Sequence, residues 1–147
     1  MILYHFTCVE YLESIRREGL NRGDVPTRFK GPLFETTAVW FTTDPKPEGH
    51  GLYEAKILTD EDRRSYLEVF GDLPAEGSRY FNKKAVRITV IIPSNDRRLV
   101  RWLTWGHKHC EPGLYDALSK GNRHKTWWLY FGTVAPDQFC AIDVLKG

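Results

Sequence analysis

The alternation of hydrophobic and polar positions is clearest over residues 86–92, where every second residue is Val or Ile. A period of two predicts a β-strand that turns Val86, Ile88, Val90 and Ile92 to one face. Shorter β-branched and aromatic runs predict further strands. These runs cover residues 2–6, 38–42, 127–131 and 139–144. Residues 52–58 fit either a strand or a helix.

Helices are predicted between these strands. Thr7 and Glu10 have the spacing of a capping box, and Phe6 and Tyr11 that of a hydrophobic staple. A helix should therefore run from here to Glu18, end at Gly19 and bury Cys8, Leu12 and Ile15. Further helices are expected over residues 59–70, 97–109 and 112–119, and loops over 21–37, 44–51, 71–83 and 132–137.

The order of these elements predicts an α+β fold with a central, mostly antiparallel sheet flanked by short helices. A chain of 147 residues fits one compact domain, residues 1–147. The glycine-rich motifs of Rossmann and P-loop nucleotide sites do not occur in the sequence, so those two classes are excluded.

The composition of the chain limits the kinds of partner that it is expected to bind. A net charge of +2 does not by itself indicate a nucleic-acid groove. Three cysteines without framework spacing, no signal peptide and no long apolar run predict a cytoplasmic protein that does not enter a membrane. The aromatic run 127–131 is expected to be a strand buried on both faces, and the alternative is an exposed patch for a partner protein or stacked bases.

The first candidate site is His5, at the end of a predicted strand and just before a helix N-terminus. A neutral imidazole offers one nitrogen as donor and the other as acceptor, which suits a ribose hydroxyl. Helix N-termini also favour anions. The alternative is a histidine that only bonds the backbone at a strand edge.

The segment Leu3-Tyr4-His5-Phe6-Thr7, followed by a helix ending in Gly19-Leu20, resembles the opening of ADP-ribosyltransferase-like proteins. Poly(ADP-ribose) polymerases and DNA-modifying ADP-ribosyltransferase toxins begin with a strand, His-x-Thr or His-x-Ser, and such a helix. Residues 38–42, with Tyr53 further on, are similar to their second motif. The resemblance covers roughly the first 55 residues, by eye.

This resemblance implies an NAD⁺ site and a split sheet of the ADP-ribosyltransferase type. His5 would bond the nicotinamide ribose and act with Tyr53 in catalysis. The Phe6 backbone would hold the nicotinamide amide, and Thr7 would orient His5. Tyr53 or Trp40 would stack on the nicotinamide ring, with Thr42 at the pocket floor. The implied reaction transfers ADP-ribose from NAD⁺ to a protein, nucleic-acid or small-molecule acceptor, and small size suggests, by analogy, a toxin or phage effector.

The chain departs from the family in one respect, because the expected catalytic Glu near the last strands is missing. No Glu follows Glu111, and Asp143, Glu54 and Asp44 are the candidate substitutes. Two other functions therefore stay open: a non-catalytic binding module on the same fold, and an RNA-acting enzyme. The RNA enzyme would be a nuclease using His5, or resemble an RNA 2′-phosphotransferase using Arg28 and Arg87.

A second candidate is the segment His107-Lys108-His109-Cys110. These residue types bind zinc, but a structural site needs four ligands, and Cys8, Cys140, His50 or His124 would have to complete it through the fold. No metal is therefore expected. A Cys–His nucleophilic pair is equally unsupported by spacing.

Overall fold

Six antiparallel strands form the central sheet of this chain in a computed structural model, which describes residues 1–26 and 34–145. In the order of the chain the strands are β1 (Ile2–Thr7), β2 (Asp24–Pro26), β3 (Phe34–Thr37), β4 (Val39–Thr42), β5 (Lys56–Ile57), β6 (Arg79–Tyr80), β7 (Val86–Ile91), β8 (Leu99–Arg101), β9 (Trp127–Tyr130) and β10 (Phe139–Val144). The helices are α1 (Leu12–Glu18), α2 (Asp60–Phe70), α3 (Trp102–His109) and α4 (Pro112–Leu118). The predicted α+β class and antiparallel sheet are confirmed.

The central sheet has the order β10-β7-β1-β4-β9-β8, and β2-β3 and β5-β6 form two small separate ladders. β1 pairs with β7 over all its residues, from Ile2 opposite Ile91 to Thr7 opposite Val86. β4 pairs with β9 from Val39 opposite Tyr130 to Thr42 opposite Trp127. Between β1 and β4, however, the register holds one pair, Tyr4 opposite Thr42. The sheet is therefore continuous, but its two halves are joined narrowly.

Each face of the sheet packs against different helices. One face carries Leu3, Ile88 and Phe41 and packs against Leu12 and Ile15, so we call it the α1 face. The other face carries Leu129 and the Trp40 ring and packs against Trp102 of α3, so we call it the α3 face. Strand β9 contributes to both clusters, which agrees with its predicted burial on both faces.

Several predicted elements are found at the expected positions. α1 ends at Glu18, and Gly19 follows with a positive φ of 82°. α2 begins after Thr59, which forms a capping box with Asp62, and ends before Gly71. In β7 the residues Val86, Ile88 and Val90 are fully buried, as the alternation requires.

Other predictions were wrong. Thr7 does not cap a helix, because it is the last residue of β1 and pairs with Val86. A 3₁₀ turn, Val9–Tyr11, follows it, and its N-cap Cys8 makes no side-chain bond. The staple is also not formed, since Phe6 stacks on His50 while Tyr11 packs edge-on against Phe81.

Three further boundaries differ from the prediction. The start of the helix expected over 97–109 is strand β8, which pairs with β9. The loop expected over 21–37 contains the β2-β3 ladder, and its residues 27–33 lie outside the described residues. The segments 52–58 and 71–83 contribute the two-residue strands β5 and β6.

Among the residues described, no helix has the length and apolar character needed to cross a bilayer.

Candidate functional site

The point where β1 and β4 separate is marked by His5. The ladder between these strands stops at Tyr4 and Thr42, and the next residue of β1, His5, reaches across instead. Its Nδ1 lies 2.8 Å from the Trp40 carbonyl oxygen. Because a carbonyl only accepts, Nδ1 carries the hydrogen, and a side chain takes the place of a ladder hydrogen bond.

This bond fixes the chemistry of the other ring nitrogen. Burial lowers the pKa of His5, the bond to Trp40 opposes the shift, and the charge of Lys83 adds to it. The ring is therefore neutral near pH 7, with Nδ1 as donor and Nε2 as acceptor. Within residues 1–26 and 34–145, no group hydrogen-bonds Nε2. His5 thus presents one acceptor nitrogen to a hydroxyl donor.

The environment of the ring is aromatic on one side and cationic on another. The Phe41 ring packs edge-on against it, with centroids 6.0 Å apart. The Lys83 Nζ lies 4.1 Å above the Tyr11 ring, and burial lowers the pKa of this lysine. A half-buried cation close to a neutral histidine favours an anionic group, such as a phosphate, beside a hydroxyl.

Tyr53 is tied to this cluster through Lys83, whose amide donates to the Tyr53 carbonyl at 2.9 Å. The Tyr53 ring stacks on Tyr80 with centroids 4.0 Å apart and planes 5° apart. Burial and the neighbouring Tyr80 hydroxyl raise the pKa of Tyr53, yet 45% of the residue is exposed. One face of the ring is thus covered by Tyr80, and a flat ligand would have to stack on the other.

Not all of the predicted site residues meet here. The Trp40 ring and the Thr42 side chain point to the α3 face, because the register places both opposite residues of that face. The Trp40 ring packs against Trp102 at 5.0 Å, and the Thr42 hydroxyl lies 2.7 Å from that of Thr126. Both roles implied for these two side chains are therefore corrected: Trp40 contributes its carbonyl to the site, and Thr42 supports a loop.

The positions of Thr7 and Phe6 also differ in part from those that the resemblance implies. The His5 ring is oriented by the Trp40 carbonyl and not by Thr7, which is buried at the end of β1. The Phe6 side chain lies on the α3 face against His50. The Phe6 backbone lies beyond the last β1-β4 pair, so it borders the opening between the two strands.

The three substitute carboxylates are each engaged elsewhere. Asp44 accepts from His50 at 3.1 Å and from Arg123 at 3.4 Å. Glu54 pairs with Lys84 at 3.0 Å. Asp143 pairs with Arg87 at 3.3 Å, on the face of the sheet opposite His5.

His50 is a second buried histidine, and its bonds exclude it as a general base. Trp127 Nε1 donates to its Nδ1 at 2.9 Å, so Nε2 carries the hydrogen and faces Asp44. With both nitrogens used, His50 holds the loop 43–51 against the end of the sheet. Gly49 permits this arrangement, because a Cβ there would lie 2.9 Å from the Arg123 side chain that reaches Asp44.

A groove of about 700 Å³ is lined in part by Arg87, which lies on the sheet face away from His5 because it pairs with Phe6. Its lining includes Glu54 and Lys84, which directly follow Tyr53 and Lys83, and Arg87. Arg87 also donates to the Pro45 carbonyl at 2.9 Å, and its Nε is buried without a partner. A volume of this size is in the range of small-molecule sites. Arg28, considered beside Arg87, lies outside the described residues.

The His107–Cys110 segment does not form a metal centre in the described part of the chain, which contains no cluster of three potential ligands. His109 packs on Trp105 and His107 on Tyr115. Burial raises the pKa of Cys110 to about 11, so its thiol is poorly suited to act as a nucleophile.

Lys83 and Tyr80 are members of the cluster that the sequence did not reveal. Lys83 precedes the strongest predicted strand by three residues. Because β7 runs antiparallel to β1, the residues before β7 lie beyond the end of β1, where the Lys83 amine reaches the Tyr11 ring. A correct pairing of these two strands would have brought Lys83 to the site.

Compared with protein-family models, curated proteins and solved structures, the chain shows no match.

Proposed function

We propose that this chain binds NAD⁺ at the opening between β1 and β4 and belongs to the ADP-ribosyltransferase type. The observation that carries the proposal is the state of His5: its Nδ1 is committed to the Trp40 carbonyl, and its Nε2 is an available acceptor. This is the arrangement that a ribose hydroxyl requires.

The neighbours of His5 support the same ligand. Tyr53 offers an exposed ring face for a nicotinamide or adenine ring, with its other face braced by Tyr80. Lys83 supplies a cation for a diphosphate.

In the proposed reaction the glycosidic bond to nicotinamide breaks, positive charge develops on the ribose, and an acceptor takes the ADP-ribosyl group. His5 and Tyr53 would position the ribose and the ring, which accounts for the part of the rate that comes from orientation. The acceptor would be a protein or a nucleic acid, and the cytoplasmic setting is supported by three free cysteines.

One observation favours binding without transfer as the second candidate. The charge that bears on His5 is that of Lys83, a cation, whereas a carboxylate would be needed to stabilise the developing positive charge. The carboxylates Asp44, Glu54 and Asp143 are engaged in ion pairs. A non-catalytic NAD⁺-binding module would use the same pocket.

The binding test compares isosteric variants of His5 by titration calorimetry with NAD⁺. His5→Asn keeps a donor where Nδ1 stands but removes Nε2, so it should fold and lose NAD⁺ binding. His5→Gln keeps a polar atom near the Nε2 position and loses the Nδ1 donor, so it should lower thermal stability more than His5→Asn does. His107→Ala, an exposed histidine on α3, should bind as the wild type does.

The outcomes separate the candidate functions. The transferase would be supported if His5→Asn loses NAD⁺ binding and the wild type transfers label from labelled NAD⁺ to an acceptor. The binding module would be supported if the wild type binds NAD⁺ through His5 but transfers no label. No heat and no thermal shift at millimolar NAD⁺ would refute both, and RNA turnover that needs His5 but not NAD⁺ would indicate the nuclease.

A further inference from the structure

Strand β10 forms one edge of the central sheet and pairs with β7 on its inner side. The Leu145 amide donates to the Ala85 carbonyl at 2.7 Å. Since backbone groups alternate in direction along an antiparallel strand, Asp143 also faces β7, whereas Ile142 and Val144 turn their N–H and C=O groups outward. In the described part of the chain no strand pairs with those outward groups.

This edge lacks several of the features that normally prevent strand pairing between molecules. Edges are protected by short length, Lys, Pro, bulges, inward-pointing charges or covering elements. The opposite edge, β8, follows this rule, since it has three residues and ends in the exposed Arg101. β10 has six residues with no Lys, Arg or Pro, and Val144 is 58% exposed. The one charged residue of β10, Asp143, pairs with Arg87 of β7. Its bulge, between Phe139 and Ala141, leaves the run from Ala141 to Val144 regular.

We propose that β10 is a homodimer interface, in which it pairs antiparallel with β10 of a second copy about a two-fold axis at Ile142. In this register Ile142 lies opposite Ile142, and Ala141 of each copy lies opposite Asp143 of the other. The outward backbone groups of Ile142 and Val144 then find partners, and the two sheets become one. The contact is self-complementary, as a two-fold interface must be.

A hollow beside the edge identifies a second copy as the occupant. It measures about 320 Å³ and is lined by Phe139, Ile142 and Arg16, among others. The register places Val144 on the α1 face, opposite Val86, and so on the side of Ile142. In the dimer, Val144 of the second copy lies next to Phe139 and Ile142 and covers the hollow. The exposed Val144 side chain of each copy thus covers the hollow of the other copy, so this contact forms twice in the dimer.

The oligomeric state tests the interface. Sedimentation equilibrium from low micromolar to millimolar protein should show the wild type rising to twice the monomer mass. Val144→Lys places a charge on the outward edge and keeps the backbone pairing of β10 with β7, so it should remain monomeric and still fold cooperatively. Ile91→Lys is the matched control, since Ile91 is 57% exposed on an inner strand, and it should dimerise as the wild type does.

Disulfide crosslinking tests the register. In Ile142→Cys, made together with Cys140→Ser, the new thiol lies at the two-fold axis opposite the same thiol of the second copy, within the distance that a disulfide needs. Oxidised glutathione should then yield a covalent dimer, each disulfide consuming two thiols and releasing two reduced glutathiones. Cys140→Ser alone, and Ile91→Cys in the same background, should stay uncrosslinked.

A monomeric wild type across the whole range would overturn the proposal. So would a dimer that persists in Val144→Lys, because the contact would then lie elsewhere. A dimer in which Ile142→Cys fails to crosslink would overturn the register at Ile142.

Discussion

The three cysteines show how much the environment of a single residue changes its chemistry. Cys8 and Cys110 are buried under different helices, and burial raises the pKa of each thiol, to about 11 for Cys110. Cys140 is exposed on the edge strand β10. The thiolate is the reactive form, so these sites should differ strongly in reactivity.

We predict that iodoacetamide labels the folded protein at Cys140 and spares Cys8 and Cys110. Peptide mass spectrometry after brief labelling near neutral pH measures this directly. Cys140→Ser should remove the native label, and denaturant should restore labelling at the two buried positions. Rapid modification of folded protein at Cys110 would show that its surroundings open more readily than the packing indicates.

The candidate site shows what sequence can give at this scale. His5 could be selected because a histidine at the end of a strand, before a helix, is a recognisable local pattern. Its partner could not, since the Trp40 carbonyl is 35 residues away and every residue has a carbonyl. The orientation of Trp40 and Thr42 also needed the strand register, which decides the face to which each side chain turns.

At the scale of elements, α3 contains a tight contact between two of its own residues. Gly106 lies against the fully buried Trp102, and a Cβ built there would be 2.7 Å from the indole. Helix propensity alone would favour alanine over glycine by about 1 kcal/mol. The close contact opposes that preference, because the indole is packed among other aromatic rings and has little room to move.

We predict that Gly106→Ala destabilises the protein by about 1–3 kcal/mol, the usual cost of overpacking. Urea unfolding followed by tryptophan fluorescence would measure the change. Gly121→Ala is the control, since its Cβ would make only an ordinary contact, 3.7 Å from the Gly49 carbonyl oxygen. If Gly106→Ala were more stable than the wild type, the indole must be able to shift.

Two similar capping patterns show why element boundaries were only partly predictable. Thr59 and Asp62 form the box, with the Thr59 hydroxyl accepting from the Asp62 amide at 3.1 Å. Thr7 and Glu10 have the same spacing, but Thr7 is taken into the ladder with β7. Likewise, β8 is only three residues long and leads directly into α3, so its strand pattern was too short to distinguish from the helix.

At the scale of the whole molecule, α1 covers one face of the sheet and α3 covers the other. Alternation along a strand predicts which residues share a face, but not which helix covers it. The antiparallel α+β class could therefore be predicted from the pattern of β7 and its neighbours, whereas the narrow join between β1 and β4 could not. That join depends on strands distant in sequence.

Acid stability is a property of the whole fold that follows from its buried histidines. Burial lowers the pKa of both His5 and His124, and Lys83 and Lys125 add to the respective shifts. The unfolded chain titrates these groups at 6.5, so below that pH it binds more protons than the folded chain. Stability from these groups is thus present above pH 6.5 and is lost as the pH falls toward the folded values.

We predict that the free energy of unfolding falls as the pH is lowered from 6.5, before Asp62 and Asp96 take part. These carboxyls have pKa values held near 2 by hydrogen bonds from Lys56 and Arg98, so their contribution changes only below about 3.8. Urea titrations at a series of pH values would measure the slope. His124→Phe removes one buried histidine and should make the slope shallower; an equal slope would exclude His124 as a source.

The imidazole that bridges β1 and β4 also has an evolutionary consequence. A substitution at His5 would alter the bond to β4 and, under the proposed function, the ribose contact together, so variation there is filtered twice. A lineage that gave up the proposed ligand would need only a donor to the Trp40 carbonyl at this position, which histidine or asparagine supplies. One that adopted a different ligand would first change Tyr53 or Lys83, whose side chains do not hold β1 to β4. Among descendants of this chain, diversity should therefore collect around a residue 5 that keeps this donor.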